Sequence, residues 1–164
     1  MLPDAEQLLE NLSQQLQPLI AEGAALVGIH SGGAWIASRL QESLGGDLGT
    51  LDISFYRDDF SRIGLHPQTK PSNIPFDVEG RHILLIDDVL YTGRTVRAAM
   101  NELFDYGRPA RITLAVLVDR GERELPIEAQ AVGARMTLNP GQNLELLRDS
   151  AGHFKLKLHE EISE

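Results

Sequence analysis

One stretch constrains the rest of this chain: Ile83-Leu84-Leu85-Ile86-Asp87-Asp88-Val89-Leu90-Tyr91-Thr92-Gly93-Arg94-Thr95. A run of branched apolar residues bounded by turn residues reads as a strand buried on both faces. Thr92, Gly93 and Arg94 supply the turn, and a helical pattern begins at Val96. Strand, turn and helix together form the unit that brings ligands to the carboxyl edge of an open α/β sheet. The turn enters a helix N-terminus, where unpaired N–H groups and about half a positive charge attract an anion. Thr92 and Thr95 add hydroxyl donors, and Gly93 lets the backbone approach closely. Two adjacent carboxylates, Asp87 and Asp88, would repel that anion unless they face something else. Sugar hydroxyls suit them as donors, and Mg²⁺ suits them as a hard cation. A single sugar phosphate satisfies the whole stretch, with its phosphate on Thr92 to Thr95 and its hydroxyls on Asp87 and Asp88.

The flanking sequence repeats the same logic. Leu8, Leu9, Leu12, Leu16, Leu19 and Ile20 recur at helical spacing between Asp4 and Gly23, with Pro18 ending or bending the last turn. Ala24 to Ile29 is a buried-strand candidate, followed by the turn His30-Ser31-Gly32-Gly33 and a helix from Ala34 to Leu44 with Trp35, Ile36, Leu40 and Leu44 inward. Leu51, Ile53 and Phe55 alternate with polar residues as a half-buried strand does. No periodicity runs from Phe60 to Asn73, which reads as a long loop. A helix over Arg94 to Tyr106 follows the central strand, with Val96, Met100, Leu103 and Phe104 on its apolar side and Gly107 and Pro109 at its end. Arg111 to Val118 is a further core strand tipped by Asp119-Arg120-Gly121. Leu144 to Leu147 and Phe154 to Leu158 suggest a terminal hairpin. Strands alternating with helices imply a parallel α/β sheet with right-handed crossovers, and 164 residues suit one domain spanning 1–164.

Ile83 to Thr95 resembles the phosphoribosyl pyrophosphate (PRPP) signature of the type I phosphoribosyltransferases. The form Asp-Asp-Val-Leu-Tyr-Thr-Gly-Arg-Thr is similar in particular to the PyrR family, pyrimidine-operon regulators that are also uracil phosphoribosyltransferases. Val27-Gly28-Ile29, Gly33, Tyr56-Arg57-Asp58-Asp59, Val118 to Gly121 and Arg123 to Ile127 extend the likeness over most of the chain. The resemblance implies a parallel sheet flanked by helices, with a small hood and a flexible loop. It implies uracil and PRPP as substrates, Mg²⁺ as cofactor, and UMP and UTP as further ligands. It assigns Tyr91, Thr92, Gly93, Arg94 and Thr95 to the 5′-phosphate of PRPP, and Asp87 and Asp88 to catalysis and, mostly through PRPP and water, to the metal. His30, Ser31, Gly32 and Gly33 would hold pyrophosphate. His30 reads equally as a strand-end histidine without a ligand. Arg62 and Lys70, with His66, would meet phosphate oxygens from the flexible loop. Val118, Asp119 and Arg120 would contact the base.

Two departures matter. Where the family usually carries Thr-Arg-Gly in its pyrophosphate loop, this chain has Ser31-Gly32-Gly33, so backbone N–H groups must take over the role of the missing arginine. RNA-binding members carry basic residues where this chain has Glu122 and Glu128. The resemblance still implies messenger RNA as a partner, with Arg108, Arg111, Arg123 and Arg135 as the available cations. The net charge of −9 works against that partner. Tyr91 stands where purine-salvage relatives place an aspartate, which favours a pyrimidine base. A P-loop and a Gly-x-Gly-x-x-Gly turn are absent from the sequence. With no cysteine there is neither a thiolate nucleophile nor a disulfide framework. No apolar run approaches a membrane span and no leader pattern opens the chain, so a cytoplasmic protein is expected. The family's habit implies a homo-oligomer, a dimer or larger.

Overall fold

The computed structural model of the chain describes residues 2–53 and 72–160. Asp4 opens α1 (Ala5–Ala21), its side chain accepting from the Glu6 N–H at 3.1 Å. Pro18 lies inside the last turn of α1 and does not end it. The stop comes at Gly23, whose φ of +104° only glycine adopts freely. Then come β1 (Ala25–Ile29), α2 (Gly32–Leu44), β2 (Leu48–Leu51), β3 (His82–Leu90), α3 (Arg94–Phe104), β4 (Arg111–Asp119) and β5 (Ala131–Arg135). The hairpin β6 (Gln142–Arg148) and β7 (Phe154–Glu160) closes the described chain.

The larger sheet has the order β2-β1-β3-β4-β5, and every pairing in it is parallel. Chain order reverses between β1 and β3, the position at which open α/β sheets gather ligands. Alternate residues of β3 serve two cores. Leu84 and Ile86 pack with Leu12, Leu16 and Ile36 from α1 and α2, while Ile83 and Leu85 pack with Val96, Ala99 and Leu103 from α3. Fully burying one such leucine contributes about 1.5–3 kcal/mol, so both faces of β3 hold it in register. Polar residues of β3 stand only at its ends, His82 at the start and Asp87 and Asp88 where the strand leaves these layers. No helix among the described residues is long and apolar enough to cross a membrane.

Several expectations need correction. β2 ends at Leu51, because the Asp52 N–H turns away to the Ser72 hydroxyl at 2.9 Å; Ile53 is buried outside the strand, and Phe55 lies outside the described residues. In α3 the buried set is Val96, Ala99 and Leu103. Phe104, one residue beyond that stripe, is 54% exposed, and the helix stops there. Trp35 and Leu44 sit at the margin of the core and are not within it. β5 was not foreseen.

Candidate active site

The site is built where three backbone segments touch. A Cβ at Gly28 would lie 2.5 Å from the Gly33 carbonyl oxygen, one at Gly33 would strike the Ile86 carbonyl, and one at Gly32 would strike the Asp88 carboxylate. The first turn of α2 therefore packs backbone to backbone on β1 and β3, which side chains at these positions would prevent. This places the His30–Gly33 turn directly beside Asp88. The His30–Ser31 peptide is cis, and the His30 N–H donates to the Leu51 carbonyl at 2.9 Å. Ser31 caps α2 without a side-chain hydrogen bond, so its hydroxyl leaves the first backbone N–H groups of the helix unclaimed. The sequence signal for Gly28 was present but unused: a glycine inside a buried strand marks a close backbone approach.

The paired acids differ. Asp87 is 6% exposed, and its Oδ1 accepts the Asp88 N–H at 2.8 Å. Burial, followed by the neighbouring Asp88 charge, pushes its carboxyl well above the usual carboxylate range. Asp88 is half-buried, its Oδ1 accepts the Val89 N–H at 2.8 Å, and its other oxygen lies against Gly32. Asp88 faces the turn, and Asp87 lies beneath it. Among the described residues no three His, Cys, Asp or Glu side chains converge as a metal cage. Two hard carboxylate oxygens fit Mg²⁺, provided that substrate and water supply most of its octahedral shell.

The turn from β3 into α3 runs through Thr92 and Gly93. Gly93 sits at φ +96° as the N-cap of α3 and offers no side chain to the helix amides. The Thr92 hydroxyl accepts the Arg94 N–H at 3.2 Å. The Arg94 guanidinium turns aside to Glu124, 2.7 Å away, and both groups are more than half exposed. Thr95 is exposed at the helix mouth. The segment following β4 seats on this turn, because the Glu124 and Leu125 N–H groups donate to the Thr92 carbonyl at 2.9 and 3.1 Å. A Cβ at Gly93 would press on Ile127 at 3.1 Å. The sequence reading missed this seat; Leu125-Pro126-Ile127, an apolar run in a polar segment, was its signal.

The tip of β4 is more engaged than expected. Asp119 is buried and accepts from Gly121 N–H at 2.9 Å and Arg123 at 2.7 Å. Burial raises its carboxyl, but the Arg123 hydrogen bond, the Gly121 N–H and the charges of Arg123 and Arg135 together outweigh this, and the net shift is downward. Arg123 donates further to the Ile127 and Tyr91 carbonyls, at 2.7 and 3.1 Å. Val118 is wholly buried in the core beneath α1 and α2, so only its backbone faces the site edge. Arg120 is buried as well, its guanidinium stacked on Tyr91. A polar cleft of about 470 Å³ opens between Asp119–Arg123 and Arg135–Thr137. Arg62, His66 and Lys70 lie outside the described residues.

A glycine turn, paired acids and a helix mouth with a glycine N-cap, gathered at the switch point of a parallel sheet, define a class. The phosphoribosyl transferase domain family matches residues 2–140. Among solved structures, a purine phosphoribosyltransferase from Pyrococcus horikoshii superposes with a TM-score of 0.60 at 22% identity, covering 83% of this chain and 87% of that one. A hypoxanthine phosphoribosyltransferase from Trypanosoma cruzi gives 0.63 at 20%, covering 84% and 78%. These share the fold. Closer in sequence, the Bifunctional protein PyrR of Nitrosococcus oceani is 54% identical over 92% of this chain and 89% of its own length. That of Pseudomonas paraeruginosa is 50% identical over 89% of each. The chain belongs to the phosphoribosyltransferases and, within them, to the PyrR family.

Proposed function

We propose that the protein is a uracil phosphoribosyltransferase, forming UMP and pyrophosphate from uracil and PRPP, with a link to the control of pyrimidine biosynthesis. The observation that carries this reading is Asp88 set against the Gly32 turn, on the same strand-to-helix segment as the Gly93 N-cap of α3, at the sheet's switch point. The bond from C1 of the ribose to pyrophosphate breaks while the bond to uracil N1 forms, and the N1 proton leaves to solvent. Positive charge develops on the ribose in between, so catalysis is mainly positioning and electrostatics. Asp88 holds the ribose hydroxyls and favours that charge. Asp87 supports it from below. Thr92, Gly93, the Arg94 backbone and Thr95 take the 5′-phosphate, with Tyr91 at their edge. His30 to Gly33 take pyrophosphate through backbone donors, since no arginine stands there. Mg²⁺, held by Asp87 and Asp88 with substrate and water, would neutralise the leaving group. The base meets the Val118 backbone and the Asp119–Arg120 tip, and the family resemblance assigns Arg62 and Lys70 to the phosphates. The reading carries with it a single-domain, cytoplasmic protein that assembles as a dimer or larger. Exposed Phe104 and Tyr106 at the end of α3 support the assembly.

Turnover of uracil with PRPP and Mg²⁺, with orotate and hypoxanthine as controls, tests this. Product is expected from uracil alone. Product from hypoxanthine alone overturns it. A second reading, an RNA-binding attenuator or a nucleotide sensor answering to UMP or UTP with little turnover, is favoured by the bifunctional character of the relatives. Weighing against RNA, Arg123 is committed to Asp119, Ile127 and Tyr91, and Arg120 pairs with Glu122 at 3.2 Å.

A further inference from the structure

Arg120 is oddly placed for a base ligand. It is 7% exposed; its Nη1 donates to the Asn143 side-chain oxygen at 3.1 Å, its Nη2 to Glu122 at 3.2 Å, and its buried Nε has no acceptor. Taking a guanidinium out of water with one donor unsatisfied is costly unless another contact compensates. That contact is the Tyr91 ring, whose centroid lies 3.8 Å from the guanidinium carbon. The other arginine–aromatic contacts among the described residues are longer, at 4.4, 5.0 and 5.3 Å. The backbone pins both partners, since the Arg120 N–H donates to the Leu90 carbonyl at 3.0 Å and Arg123 to the Tyr91 carbonyl at 3.1 Å. Tyr91 keeps 42% of its surface open. It stands between Asp88 and the phosphate turn on its own segment and the β4 tip across from it. On the phosphoribosyl-transfer reading, a base joined to a ribose at Asp88 would extend toward this edge.

We infer that Arg120 is a specificity-positioning residue, fixing the Tyr91 ring as a wall that leaves room for a one-ring base and excludes a two-ring one. The inference rests on the phosphoribosyl-transfer reading above. It changes the role of Arg120 from touching the base to holding what touches it. A cation stacked on an aromatic face, out of water, has the strength for this, and the planar guanidinium suits the ring better than an ammonium. Asn143 extends the support into the β6–β7 hairpin.

Steady-state kinetics on the full chain with uracil and hypoxanthine test the wall, using Arg120→Met, Arg120→Lys, Tyr91→Leu and the double variant. Arg120→Met is expected to lower kcat/KM for uracil about tenfold through the uracil KM, leaving the PRPP KM unmoved and raising the hypoxanthine-to-uracil ratio. Arg120→Lys should restore part of this. The double variant should do little more than Tyr91→Leu alone, because the two side chains act as one. A folded Arg120→Met enzyme with unchanged uracil KM and base ratio overturns the inference. If that variant does not fold, Tyr91→Leu, at an exposed position, decides it: unchanged base preference overturns the wall. Wild-type protein inactive with uracil overturns the parent reading along with this one, whereas active wild type with unmoved ratios in the variants overturns this one alone.

Discussion

Asp87 and Asp88 are adjacent in sequence and unequal in space, and their variants should separate accordingly. Asp88→Asn keeps the shape but removes the charge that the proposed reaction sets against the ribose. It is expected to lower kcat by about a hundredfold, with a change in Tm under about 3 °C. Loss of folding instead would mean that Asp88 is structural. Asp87→Asn acts on stability in the opposite direction. A carboxyl whose folded pKa is raised stabilises most while protonated, fully so below its unfolded value of about 3.9, and this stability is lost as pH rises through the folded pKa. An uncharged asparagine removes that loss. The ligand-free variant should therefore melt higher than the parent near neutral pH, with the difference closing toward about pH 4. A melting-temperature series over pH checks the sign. Little of this was legible in the sequence, because rank between neighbouring acids depends on which one the turn of the chain buries. The pairing itself was legible, since two adjacent carboxylates ending an apolar run stand out in the sequence.

At the scale of elements, α1, α2 and the hairpin meet at one ion pair. Both Glu6 oxygens bind Arg39, at 2.7 and 3.1 Å, and Oε2 also accepts the Phe154 N–H at 2.7 Å. Arg39 donates further to the Gly152 carbonyl at 3.1 Å and lies over the Phe154 ring. The pair is about one-third exposed, so its value is discounted for solvent. Glu6→Ala should still cost about 1–2 kcal/mol through the orphaned Arg39 and the lost hairpin anchor, a fall in Tm of roughly 3–6 °C. Calorimetry would show it, and no change would mean that the hairpin docks by apolar contact alone. The Arg39 hydrogen bond holds the Glu6 carboxyl below its ordinary range, so this contribution is present above about pH 4.5 and lost on acidification. Strands and helices with strong periodicity were readable. β5 was not, because Ala131–Arg135 packs through small residues: a Cβ at Gly133 would strike the Leu117 carbonyl and press on Leu8 at 3.1 Å. Tight packing of small residues leaves no apolar run to read. Phe104 misled for the converse reason, being apolar but one position off the buried stripe of α3.

For the whole molecule, a net charge of −9 and committed arginines at the β4 tip set the expectation for RNA. A gel shift at about 50 and 200 mM salt should show weak binding with a shallow salt slope, since few phosphates are neutralised. Tight binding that falls steeply with salt would restore the attenuator reading. The parallel sheet and its switch point tie all three scales together, because they bring the glycine turn, the acids and the helix mouth to one edge. The most direct test is a crystal structure with UMP bound. The phosphate should rest on the Thr92–Thr95 turn, the ribose hydroxyls on Asp88, and the base between Tyr91 and the tip of β4. UMP bound elsewhere, with that edge empty, would contradict the assignment.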